Sequence, residues 1–121
     1  FDSCTGFILP NGAERAPDFA WVVRSRWESL TKKQRRSFPP LCPDFVVEIR
    51  SPSDRVSSLK EKMREYIENG ARLAWLIDLL KRRVHVYRPG AEAERLDRPQ
   101  RISAGALLPG CALELETLWP S

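Results

Sequence analysis

The sequence is poor in the residues on which much protein chemistry depends. It holds 1 histidine, His85, and a single imidazole cannot build the usual zinc site of two or three. A Ser-His-Asp arrangement is formally possible, but no nucleophile-elbow motif supports it. The 3 cysteines, Cys4, Cys42 and Cys111, are widely spaced and odd in number. They form neither a disulfide framework nor a C-x-x-C metal pair, and predict a reducing, cytoplasmic compartment. No apolar run approaches the ~20 residues needed to cross a bilayer, so no membrane partner is expected. There is no charged-then-apolar leader pattern, no internal repeat and no low-complexity tract. The chain opens at Phe1 inside strand-like sequence, which predicts a further segment upstream.

What is present reads as one globular domain over residues 1–121, long enough for a single core. The formal charge is +4 and the pI about 9.3, which points toward a polyanionic partner. The distribution says more than the total. Arg24, Arg26, Lys32, Lys33, Arg35 and Arg36 crowd one stretch against Glu28 alone, and Lys81, Arg82 and Arg83 form a second cluster. Lys32, Lys33, Arg35 and Arg36 are the candidate nucleic-acid contacts; the alternative is a solvated helix face.

Strand signals mark Gly6–Leu9, Phe19–Val23, Phe45–Arg50, Leu73–Ile77 and Arg83–Tyr87. Pro10-Asn11-Gly12 and Pro89-Gly90 read as turns. Thr31 is placed to cap a short basic helix running toward Ser37. Ser58-Leu59-Lys60-Glu61 has the capping-box form, predicting a helix that opens there and ends at Asn69-Gly70. The order predicts an α/β or α+β fold, a mixed sheet flanked by helix.

Glu48 is the most informative residue. It sits inside Phe45-Val46-Val47-Glu48-Ile49, where a carboxylate is costly unless paired or bound to a cation. Alternation puts it on one face with Val46 and Arg50, so a structural pair with Arg50 or a lysine competes with a functional role. Asp18 stands at the entrance of the Phe19 strand, and Pro43-Asp44 copies Pro17-Asp18. In the helix, Val56, Leu59, Met63, Tyr66 and Ile67 make one apolar stripe. Lys62 lies at its edge, either snorkelling to water or reaching across the sheet toward Glu48 and Asp18. Two carboxylates and a lysine would suit a hard divalent cation and a phosphate. Arg50 is a further candidate for charge stabilisation, though not a general base.

These residues resemble the PD-(D/E)XK nuclease superfamily. Pro17-Asp18 looks like its first signature, and Glu48-Ile49-Arg50 like its E-x-K with Arg in the last place. Over almost the whole chain the sequence resembles the bacterial restriction-endonuclease-like family of Uma type. The matching stretches include Ala16-Pro17-Asp18, the string from Pro43 through Val47-Glu48-Ile49-Arg50-Ser51-Pro52-Ser53-Asp54, Lys62 with Tyr66, and Asn69-Gly70-Ala71. Trp75-Leu76-Ile77-Asp78 and Leu108-Pro109-Gly110 continue the match. The resemblance implies a restriction-endonuclease-like fold, a central mixed β-sheet flanked by helices, Mg²⁺- or Mn²⁺-dependent cleavage of DNA, and frequent homodimers. Carried over by position, Asp18 and Glu48 would be metal ligands. Lys62 would be the lysine supplied from the helix, with Tyr66 beside it as in related Q-x-x-x-Y arrangements. The chain departs from the family where Arg50 replaces Lys, where the usual Asp-Pro turn reads Asp78-Leu79-Leu80, and where no amino-terminal helix precedes Phe1. Those departures motivate an alternative, a catalytically degenerate nuclease-fold module that binds nucleic acid without turnover.

Overall fold

The structure, a computed structural model, describes residues 6–36 and 38–119; Cys4 and Ser37 lie outside them. A hairpin of β1 (Phe7–Ile8) and β2 (Glu14–Arg15) comes first, followed by strand β3 (Phe19–Trp21). Two short helices, α1 (Arg24–Glu28) and α2 (Lys32–Arg36), lead to strand β4 (Phe45–Arg50). Helix α3 (Val56–Glu68) then precedes β5 (Leu73–Asp78), β6 (Arg83–Tyr87) and β7 (Glu94–Asp97). A small antiparallel pair, β8 (Arg101–Ser103) and β9 (Ala112–Glu114), closes the described chain.

The strands β3-β4-β5-β6-β7 form one mixed sheet in that order. β4 and β5 run parallel, in register Glu48–Leu76 and Arg50–Asp78, and the other neighbours are antiparallel. A parallel pair requires a crossover, and α3 supplies it. α3 packs Leu59, Met63 and Tyr66 onto Val46, Ala74 and Leu76, with Phe7 and Leu9 of the hairpin segment completing that core. The opposite sheet face carries Phe45, Val47, Trp75, Ile77, Val84 and Val86, covered by Ile102, Ala104 and Leu115 from the closing segment. β4 and β5 are therefore apolar on both faces, as central strands must be.

The α+β architecture with a central mixed sheet is the expected one, and the local differences have identifiable causes. β3 ends at Trp21 rather than Val23, because the Asp44 carboxylate accepts the Val23 N–H (2.8 Å) and the chain turns into α1, a helix the sequence did not announce. Asp44 is buried and also pairs with Arg26 at 2.8 Å, so this second Pro-Asp is a clamp on α1. α3 opens at Val56, with Arg55 as its N-cap, not at the Ser58 capping box. Starting there makes Val56, already expected in the apolar stripe, the first residue of the helix, packed against the core. The preceding turn is self-contained, since Asp54 accepts both the N–H and the hydroxyl of Ser51 at 2.9 Å. Thr31 does cap α2, exchanging reciprocal bonds with Gln34 (3.1 and 2.9 Å). α3 ends as expected: Gly70 adopts φ +117°, its N–H meets Ile67 O, and Ala71 N–H meets Tyr66 O. Cys42 and Cys111 are free thiols, and burial pushes Cys42 up to about 11.

Candidate active site

The candidate site forms where β3 starts and β4 ends. One residue beyond the ladder pair Phe19–Val47, Asp18 stands opposite Glu48. Side chain and backbone clasp the two strands together here: the Asp18 N–H donates to Glu48 Oε1 (3.0 Å), and Asp18 Oδ2 accepts the N–H of Ile49, the residue after Glu48 (2.7 Å). Glu48 is only 5% exposed, whereas Asp18 faces solvent. From α3, Lys62 Nζ reaches down to Glu48 Oε2 at 3.0 Å. The edge position of Lys62 on the apolar stripe is thus the one that lets it stretch over the sheet. Burial pushes the Glu48 carboxyl above the usual range, and the Lys62 ammonium opposes that shift.

Tyr66 lies one turn further along α3 and is fully buried. Burial foremost, then the negative charge of Glu48, holds its hydroxyl firmly protonated. Among the described residues that hydroxyl has no hydrogen-bond partner, which is uncommon for a buried polar atom. The site thus offers two carboxylates, an ammonium and an orphaned phenol. No group of three or more His, Cys, Asp or Glu side chains gathers among the described residues. The oxygen donors that do gather, Asp18 and Glu48, suit a hard cation that completes its shell with water and phosphate oxygens.

The family model for Uma2, described as "Putative restriction endonuclease", matches residues 1–116. The chain belongs to the Uma2 family. No curated protein matched it. Among solved structures it is similar to a "putative nuclease belonging to DUF820" from Anabaena variabilis ATCC 29413, at 23% identity and a TM-score of 0.73. The match covers 89% of this chain and 61% of that one, so the chain spans less than two thirds of its structural relative. At that identity the likeness speaks for the fold, and the family match places the chain among proteins assigned as nucleases.

The remaining candidates of this Uma2 chain are dispersed. Arg50 turns away from Glu48: its Nη1 pairs with Asp78 Oδ2 on the neighbouring strand at 2.9 Å, and its Nε donates to Asp54 O at 3.4 Å. The Glu48–Arg50 pair that alternation allowed is not formed, because Asp78 lies directly across the parallel ladder. Lys32, Lys33, Arg35 and Arg36 on α2 belong to the connection from the end of β3 to the start of β4, the far end from Asp18 and Glu48. They are surface residues held apart from the candidate centre.

Asp78 and His85 are not among the site residues expected from the sequence. Asp78 is 1% exposed and also accepts the N–H groups of Leu80 and Lys81 at 3.0 Å. Its signal was available, since it ends an apolar strand much as Glu48 interrupts one. His85 shares the row of Glu48 and Leu76 across the ladder. Burial, followed by the nearby Lys60 charge, lowers its pKa.

Proposed function

We propose that this chain is a divalent-metal-dependent endonuclease that hydrolyses DNA phosphodiester bonds at Asp18, Glu48 and Lys62. One observation carries the reading: a buried carboxylate in a central strand, held between the Asp18 backbone and the Lys62 ammonium. Asp18 and Glu48 would hold Mg²⁺ or Mn²⁺; such an ion, when bound, polarises the phosphate and lowers the pKa of an attacking water.

Lys62 acts on the phosphate itself. As water adds to phosphorus and the P–O bond to the leaving oxygen breaks, negative charge grows on the non-bridging oxygens. An ammonium anchored on Glu48 is preorganised to meet that charge. Tyr66 keeps its proton and offers a hydroxyl donor beneath the site, while the Asp18–Ile49 bond fixes the first carboxylate. Arg50 acts indirectly, bracing the turn that leads into α3, the helix that carries Lys62. The α2 cations Lys32, Lys33, Arg35 and Arg36 bind the DNA backbone away from the reacting phosphate. A single domain, a cytoplasmic setting and a homodimer complete the proposal.

The degenerate binding-module reading draws on one observation, the engagement of Arg50 by Asp78. Purified protein incubated with supercoiled plasmid and Mg²⁺, Mn²⁺ or EDTA separates the two. Metal-dependent nicking that disappears in Glu48→Ala and Lys62→Ala is expected. Salt-sensitive DNA binding with no nicking by folded protein would establish the alternative. Light scattering of the same preparation checks the dimer.

A further inference from the structure

At the opposite end of β3 from Asp18 lies a second recess. Trp21, Val22, Arg24 and Trp27 line a cavity of about 300 Å³, the lower end of the range that takes a small planar ligand. Trp21 and Trp27 are each half-buried, so part of each indole packs on a core and part faces the recess. Arg24 at the rim is exposed.

The platform is built, not incidental. The buried Asp44 holds α1 through the Val23 N–H and the Arg26 guanidinium. From α2, Arg35 donates to Trp27 O at 3.2 Å, and its guanidinium lies 5.8 Å from the Trp27 ring centroid. The indole of Trp27 is thereby fixed from both neighbouring segments. Arg24 lines the recess, and the α1–α2 stretch that carries Trp27 also holds Lys32, Lys33 and Arg36 against Glu28 alone. An apolar peptide would find little use for that charge. A nucleotide uses both features, its base against an indole and its phosphates against the cations.

The recess shares the edge strand β3 with the candidate centre. Trp21 is three residues along it from Asp18, about 10 Å at the strand rise, and alternation sets the two side chains on opposite faces of the strand. A base inside an intact duplex is stacked on its neighbours and has no free face to offer an indole.

We propose that the Trp21–Arg24–Trp27 recess receives an unpaired nucleobase of the substrate strand, so that the enzyme selects single-stranded or flapped DNA. This rests on the reading of Asp18, Glu48 and Lys62 as the cleavage centre, and it names the substrate that centre is given.

Equilibrium binding in EDTA tests the recess without cleavage. A labelled single-stranded oligonucleotide is compared with the same sequence annealed as a blunt duplex. The probe proteins are wild type, Trp21→Leu, Trp27→Leu and Arg24→Ala. Tighter binding of the single strand is expected, with a loss of about 5- to 150-fold in either leucine variant, the effect of removing one base–aromatic stack. Duplex binding stays nearly unchanged. Equal affinity for both ligands, or single-strand affinity that survives in folded leucine variants, overturns the proposal. If a leucine variant fails to fold, Arg24→Ala decides: lowered single-strand affinity supports the recess, unchanged affinity overturns it. Plasmid nicking and cleavage of the labelled single strand in Mg²⁺ or Mn²⁺, by wild type and Glu48→Ala, run alongside. Cleavage without single-strand preference removes the recess and keeps the hydrolytic centre. Single-strand preference without cleavage of either DNA removes the hydrolytic centre and keeps the recess.

Discussion

At the scale of single residues, Glu48 carries the largest tension between folding and function. Burial favours its neutral form, so its charge at neutral pH works against folding. Replacing Glu48 by Gln should therefore leave the melting temperature unchanged or raised while plasmid nicking falls to background; a melt and a nicking assay on one preparation check both. Lys62→Ala should reduce the nicking rate on the order of 10²- to 10³-fold, the usual result of deleting a preorganised charge donor. Arg50 should behave in the opposite way. With its side chain 15% exposed and Asp78 at 1%, Arg50→Met strands a buried carboxylate. Chemical denaturation should show a destabilisation of about 3 kcal/mol, with the rate at saturating substrate much less affected than in Lys62→Ala.

His85 supplies a pH signature. Its folded pKa lies below the ordinary 6.5, burial being the main cause. The folded state thus resists protonation, and stability is full above the unfolded value and declines as pH falls below it. His85→Gln removes this contribution. Its unfolding free energy should drop less than that of wild type between pH 7.5 and pH 5.5, on the order of the His titration range. Parallel drops would show that His85 does not titrate in this way.

At the scale of elements, α3 ties the core to the candidate centre. Its inner face presents Met63, 0% exposed, to the sheet, and its edge presents Lys62 to Glu48. Its C-terminus depends on Gly70, whose φ of +117° is poorly tolerated by a residue with Cβ. Gly70→Ala should destabilise the protein by about 1 kcal/mol or more, and Met63→Ala by about 2–5 kcal/mol, both read from denaturant unfolding. Since Lys62 rides on the same helix, Met63→Ala should also slow nicking at temperatures where the protein remains folded. The β1–β2 hairpin stiffens this arrangement: Asn11 joins Asn69 and Glu65, and Arg15 pairs with Glu65.

Across the whole molecule, charge and chemistry are spatially separate. The candidate centre lies where β4 ends, and the cationic α1–α2 segment lies where β4 begins. A strand of nucleic acid running along the β3 edge would touch both. Affinity should then fall steeply with salt. Lys32→Ala, Lys33→Ala and Arg36→Ala combined should flatten the log–log salt dependence by about 2 to 3, near one for each phosphate no longer neutralised. A slope unchanged by the triple variant would place the DNA elsewhere. No helix among the described residues is long and apolar enough to cross a membrane.

The sequence by itself determined the α+β class, the central strands, the α3 stripe and its Asn69-Gly70 stop, because period and turn chemistry are local properties. It also singled out Glu48, since a carboxylate within an apolar run is anomalous wherever the run is placed. Only the tertiary structure decided which cation answers that carboxylate. Arg50 is two residues away along the chain, yet the parallel register hands it to Asp78, and Lys62 arrives instead from the crossover helix. The two Pro-Asp pairs were likewise indistinguishable in sequence. Antiparallel pairing of β3 with β4 places Asp18 opposite Glu48 and leaves Asp44 at the other end as a clamp. Strand register is set by contacts between distant segments, and local sequence does not encode it.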